Sequence, residues 1–135
     1  VKKLTLLKKI PELLALRLMM VLFGAVLIFH LLVIIDIIPF TIIWGGKMKT
    51  HEDMLIMEGV SIGINLLFLG IVFLRFYQRF NSSIVNKLRF AFWLFFVLFS
   101  LNTLGNLFAE TLTETLIFTP LTILLAVLSL RLAKN

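Results

Sequence analysis

Arg75-Phe-Tyr-Gln-Arg79-Phe-Asn-Ser-Ser-Ile-Val-Asn-Lys87-Leu-Arg89, residues 75–89, is a polar stretch with four cations set between two long apolar runs. The remaining basic residues cluster in the same sense. Lys2, Lys3, Lys8, Lys9 and Arg17 lie at the start of the first apolar run, and Arg131 and Lys134 lie at the end of the last. Only Lys47 and Lys49 fall elsewhere, so eleven of the 13 basic residues sit on one side of four apolar stretches. Positive loops resist translocation and lie against anionic lipid, so this pattern predicts four membrane spans with both termini in the cytoplasm. The fold expected is all-α: an integral membrane four-helix bundle, antiparallel and up-down, in one domain covering residues 1–135.

Bulk composition agrees. The chain has 135 residues, of which 61% are hydrophobic, and its mean hydropathy is +1.10. A soluble fold of that length could not cover so much apolar surface, whereas a bilayer can. The topology already accounts for the net charge of +6, and no basic stretch is free enough of the membrane to bind nucleic acid. The partners expected are the lipid bilayer, a small-molecule ligand and a second copy of the chain. The compartment expected is a bacterial cytoplasmic membrane. Cysteine is absent, which excludes disulfides, thiolate metal sites and thiol nucleophiles.

The spans expected are 11–35, 54–76, 88–108 and 112–132, each close to the ~20 residues that a hydrocarbon core of ~30 Å requires. Residues 13–35 are too long for a signal-peptide core and no small-x-small site follows them, so the first span is expected to be an uncleaved anchor. Pro11 suits its first turn, with Glu12 favourably placed at the helix N-terminus. Leu4, Leu6, Leu7 and Ile10, interleaved with lysine pairs, predict a short stretch on the inner leaflet. Asn81-Ser82-Ser83 matches a glycosylation acceptor, but on the wrong side to be used. The few residues around 109–111 make the last two spans antiparallel neighbours.

The connection 36–53 differs from the others. It stays apolar past the first span, with a helix-breaking Pro39, an interfacial Trp44 and a Gly45-Gly46 turn. A segment folded back over the outer mouth is expected there, followed by a charged turn, Lys47 to Asp53, that caps the second span.

Polar residues within spans are costly, and their positions are the best functional clue available. The first span carries His30 and ends at Asp36. In the second, Glu58, Ser61 and Asn65 share a face; in the third, Asn102, Asn106 and Glu110 recur every fourth residue, with Thr103 alongside. The fourth has Thr115, Thr119 and Thr122. At 1.5 Å per residue, His30, Glu58, Asn102 and Thr119 all fall roughly 6–12 Å below the outer surface. A polar cup opening outward above a closed apolar floor follows. Its expected ligand-binding residues are His30, Asp36, Glu58, Asn65, Asn102, Asn106, Glu110 and Thr119.

Each piece also has a plainer reading. Thr115, Thr122 and Ser61 fit interhelical hydrogen bonding at ~0.6 kcal/mol each. Gly59 and Gly63 fit close helix packing. Asp36, Glu110 and Glu114 fit solvated interface charges. His30 and Glu58 are harder to dismiss, because a mutual hydrogen bond would reduce the cost of burying both.

No cofactor, metal or catalytic residue is assigned. Gly45-Gly46-Lys47 lacks the spacing of a phosphate loop, and His30 with Glu58, Asp36 or Glu110 is too sparse for a metal site. Three functions remain. The first is a module that binds, and in one version transports, a small polar or amphipathic molecule. The second is a structural or accessory subunit with a filled interior and with Phe68, Phe73, Phe76, Phe90, Phe92, Trp93, Phe95 and Phe96 turned to lipid or a partner. The third is an intramembrane enzyme with His30 as base, which requires His30 and a carboxylate within ~3 Å.

Overall fold

The computed structural model describes residues 2–43, 49–109 and 111–134. Its helices are α1 (Lys2–Leu7), α2 (Glu12–Ile34), α3 (His51–Tyr77), α4 (Ser82–Leu107) and α5 (Thr119–Ala133), with a 3-10 turn at Phe40–Ile42 and a π turn at Glu114–Phe118. No strand occurs among the described residues. Four helical stretches, Glu12–Ile34, His51–Tyr77, Ser82–Leu107 and Glu114–Ala133, are each long and apolar enough to cross a membrane. They match the four expected spans to within a few residues, except that α4 begins six residues earlier, at Ser82.

Local chemistry sets the helix ends. Pro11 sits one position before α2, as its N-cap. The other end of α2 closes in a Schellman motif: the Asp36 N–H donates to the Val33 carbonyl at 3.1 Å and the Ile37 N–H to the Leu32 carbonyl at 3.0 Å. Asp36 has φ of 60°, the left-handed conformation this motif demands. The Thr50 hydroxyl accepts from the Asp53 N–H at 3.1 Å and starts α3, with Glu52 and Asp53 in its first turn. The expected cap on the second span is therefore present. Asn81 has the same role at α4, where its Oδ1 accepts from the Ile84 N–H at 3.4 Å.

The π turn has its cause in Pro120, which enters α5 within its first turn. Proline cannot donate to the carbonyl four residues back and its ring crowds that carbonyl. A widened turn over Glu114–Phe118 relieves the conflict.

Helix α2 packs on α3, α4 on α5, and α2 on α5; α3 and α4 have few backbone approaches although a short turn joins them. Helix α5 is consequently the most enclosed: half of its apolar window is buried, against 17–22% in the other three. The main core combines Leu16, Met19 and Phe23 of α2 with Phe92, Phe95 and Phe99 of α4 and Leu125, Leu128 and Leu132 of α5. Phe92 and Phe95 are therefore buried, not turned outward, while Phe90 is 70% exposed. The remaining outer surface is strongly apolar, with Val21 at 68% and Ile28 at 60% exposed. Only hydrocarbon makes such a surface favourable.

The basic end is knit by polar contacts. The Arg75 Nη1 donates to the Glu12 carboxylate, the Arg131 Nε donates to the Ile10 carbonyl at 2.7 Å, and the Lys134 ammonium lies 4.9 Å from the Trp93 ring centre. Arg75 is fully buried. The largely apolar half of the bundle at this end therefore also encloses an ion pair. Arg17, by contrast, is exposed and free to snorkel.

Candidate functional site

At the end away from the arginines, the helices enclose a cavity of about 680 Å³. Its floor is aromatic. Phe68 of α3 meets Phe95 at 4.5 Å and Phe99 at 5.6 Å between ring centres, and Phe23 of α2 meets Phe68 at 5.6 Å. At its far end, the chain that follows α2 folds back. Ile43 is 3% exposed and lines the cavity, packed in a cluster with Val33 and Met54 that also holds Phe29, Phe40 and Phe118. The expected fold-back is present as far as Ile43; Trp44, Gly45, Gly46 and Lys47 lie outside the described residues.

His30 and Glu58 form the centre of the polar wall. His30 Nδ1 and Glu58 Oε2 are 2.5 Å apart, with the glutamate side chain fully buried and the histidine 13% exposed. Nδ1 is engaged with the carboxylate, which leaves Nε2 as the ring nitrogen available to another partner. His30 lines the cavity and Glu58 does not. Glu58 thus stands behind the imidazole, orients it, and does not itself face the cavity. Phe29 supports the same ring edge-on at 5.7 Å.

Three asparagines supply the neutral polar groups. Asn65, Asn102 and Asn106 all line the cavity. Asn65 Nδ2 donates to the Ser61 carbonyl at 2.8 Å, which leaves its Oδ1 for other partners. Asn106 Nδ2 reaches the Thr122 hydroxyl at 3.4 Å, and its backbone carbonyl accepts from the Thr115 hydroxyl at 3.0 Å. Asn102 is exposed, and its side chain makes no hydrogen bond among the described residues.

The threonines behave mostly as interhelical ties. The Thr103 and Thr122 hydroxyls meet at 2.9 Å, and Thr122 donates on to the Phe118 carbonyl at 2.9 Å. These bonds hold α5 and the π turn to α4. Ser61, by contrast, lines the cavity.

Two expected site residues stand elsewhere, and a third is not described. Asp36 is exposed and absent from the cavity wall, because the Schellman motif turns it out at the end of α2. Thr119 is 7% exposed and its hydroxyl has no partner, yet it faces packed helix and does not line the cavity. Glu110 lies outside the described residues. Conversely, Glu114 lines the cavity at 7% exposure, although its sequence position suggested an interface charge. The available signal was Thr119-Pro120: a proline inside a span forecasts an irregular turn just before it, and that turn carries Glu114 inward.

Gly59, Gly63 and Gly70 correct another expectation. A methyl group added at any of them would meet nothing within 4 Å. No close helix packing occurs at these glycines within the chain. Among the described residues, no three His, Asp or Glu side chains converge as metal ligands would.

No known protein family, curated protein or solved structure matches this chain.

Proposed function

We propose that this protein is a four-span antiparallel membrane bundle that holds a small polar or amphipathic molecule in the half of the bilayer facing away from the cytoplasm. The orientation rests on the eleven basic residues gathered at one end. That end is also where the start of α2, the end of α3 and the end of α5 are tied together. One observation carries the binding reading. An imidazole is held by a buried carboxylate at 2.5 Å and offered to a 680 Å³ cavity that side chains leave unfilled. Cavities of about 300–1,000 Å³ are the usual size for small-molecule sites. A purely structural role for the pair would call for a filled interior around it.

Binding is favoured over passage, since the Phe23, Phe68, Phe95 and Phe99 floor blocks the way to the basic end. Transport would require that aromatic layer to part, or a second copy to supply a path. The dyad also meets the distance condition for acid–base chemistry, which would use Nε2 as the base.

The accessory-subunit reading draws support from a different observation, the bare glycine face of α3 at Gly59, Gly63 and Gly70. Such a face suits close approach by another helix.

Thermal unfolding of the purified chain against a panel of water-soluble and amphipathic compounds tests the proposal. A ligand present at a hundred times its Kd should stabilise by about 2.7 kcal/mol. Glu58→Gln, which keeps shape and removes charge, should retain the fold and lose that stabilisation. Unchanged stabilisation in the variant would remove the dyad from the site.

A further inference from the structure

The cavity has an aromatic floor but lacks a continuous wall on one side. Phe68 and Phe99 close it toward the basic end, and Ile43 and Phe118 line it at the other. Between α3 and α4 no comparable cover occurs among the described residues. Ile64 of α3 and Leu98 and Leu101 of α4 line the cavity and remain 45%, 44% and 58% exposed. Leu98 precedes the end of α4 at Leu107 by nine residues, which is about 14 Å along the helix. An opening of that depth reaches far into a hydrocarbon core of ~30 Å.

Asn102 stands in this opening. It is exposed and lines the cavity, and its side chain has no hydrogen-bond partner among the described residues. A bare amide facing hydrocarbon is strongly unfavourable, so a polar group from outside the chain must meet it. The surrounding wall is aliphatic and aromatic. An occupant therefore needs both an apolar part and a hydrogen-bonding part, at a fixed distance from the membrane surface.

We infer that the cavity takes its ligand sideways from the bilayer, as an amphiphile whose apolar chain lies between α3 and α4 and whose uncharged, hydroxyl- or amide-bearing head bonds to Asn102. The inference rests on the binding reading above and specifies its ligand class and route. Among the described residues no lysine or arginine lines the cavity, and its polar groups are chiefly neutral amides and hydroxyls. Asn65, Asn106 and the His30 Nε2 are further neutral groups for the head.

The test uses the full chain in phosphatidylcholine nanodiscs with a photoreactive monoacylglycerol, its diazirine on the acyl chain. Labelling should concentrate on Ile64 and on residues 98–102 and should be competed by excess unlabelled monoacylglycerol but not by glycerol. Asn102→Leu should weaken that competition about three- to tenfold, as loss of one hydrogen bond to an uncharged head would. Leu101→Trp, which fills the opening, should abolish the localised labelling.

Uncompeted labelling spread evenly over lipid-facing positions such as Val21 and Phe90 would overturn the inference. So would competition by glycerol as effective as by the amphiphile. A Leu101→Cys variant that forms disulfides between copies in high yield would place a second chain in the opening, with the same consequence. If a water-soluble compound still gives Glu58-dependent stabilisation while photolabelling is uncompeted, only the lateral route and amphiphile class fall. If neither signal appears, the binding reading falls with them.

Discussion

Replacing Glu12 by Gln should destabilise this protein far more than replacing its partner Arg75 by Met. The two residues are paired, but unequally enclosed: the Arg75 side chain has no exposure and Glu12 has 27%. Arg75 Nε and Nη2 have no hydrogen-bond partners, so the carboxylate is the main compensation for a buried guanidinium. Glu12→Gln keeps the shape and one acceptor oxygen but leaves that cation unneutralised. Breaking a buried pair in this way costs about 3–5 kcal/mol. The partial exposure of Glu12 argues for the low end, about 3 kcal/mol, or roughly a hundredfold in the folding equilibrium.

Arg75→Met removes the buried charge itself, and the carboxylate left behind can turn to water. A loss of about 1 kcal/mol is expected. The double variant should lie close to Arg75→Met, because replacing both members of a buried pair is often neutral. Equilibrium unfolding in mixed detergent–SDS micelles, followed by helical circular dichroism, measures all three. If Glu12→Gln unfolds like the parent while Arg75→Met is the damaging change, the guanidinium is solvated and the buried-pair account is wrong.

Other consequences are simpler to check. Asp36→Gly should raise stability by about 0.5–1 kcal/mol, since glycine adopts the left-handed φ of 60° without strain, and should leave ligand-dependent stabilisation unchanged; loss of that stabilisation would return Asp36 to the site. Gly63→Ala should gain up to about 1 kcal/mol of helix propensity because an added methyl meets nothing, whereas destabilisation would reveal close packing against a second copy. The chain has no cysteine, so Ser83→Cys and Lys49→Cys each provide a single thiol. A membrane-impermeant maleimide should reach them from opposite sides of the membrane, and labelling of both from one side would refute the up-down order.

The four helices were readable from sequence because hydropathy over about 20 residues is a sum, insensitive to any one side chain. Their caps were partly readable for the opposite reason: Pro11, Thr50 and Asn81 act on backbone groups within a turn of themselves. The His30–Glu58 contact was also accessible, since two ionisable residues at equal depth in adjacent spans have few other ways to be satisfied. Equal depth, however, gives no rotation about the helix axis. That is why Glu58 was assigned to the wall but stands behind His30, and why Asp36 and Thr119 were assigned to a cavity neither one lines. The pairing of Arg75 was not legible for a related reason. A cation at the end of a span is usually a solvated one, and only the neighbouring start of α2 shows that Glu12 encloses it.

The unwalled side between α3 and α4 was the least legible feature, because sequence connectivity points the other way. Helices joined by a turn as short as 78–81 are expected to pack along their length. Here they stay apart for a physical reason that becomes visible only in three dimensions. Helix α5 has its small and branched residues, Ala126, Leu125 and Leu128, in contact with the core, and it occupies the position against α2 and α4. The Thr103–Thr122 and Asn106–Thr115 bonds then fix α4 to α5 at the upper end. With α4 committed to α5 and α3 to α2, what joins α3 to α4 above their turn is mainly the Phe68, Phe95 and Phe99 contact. Above those rings Ser61, Asn65, Asn102 and Gly105, small or polar residues, are among those that border the remaining space. The same set of small and polar residues that leaves the cavity unfilled therefore leaves it open to the side.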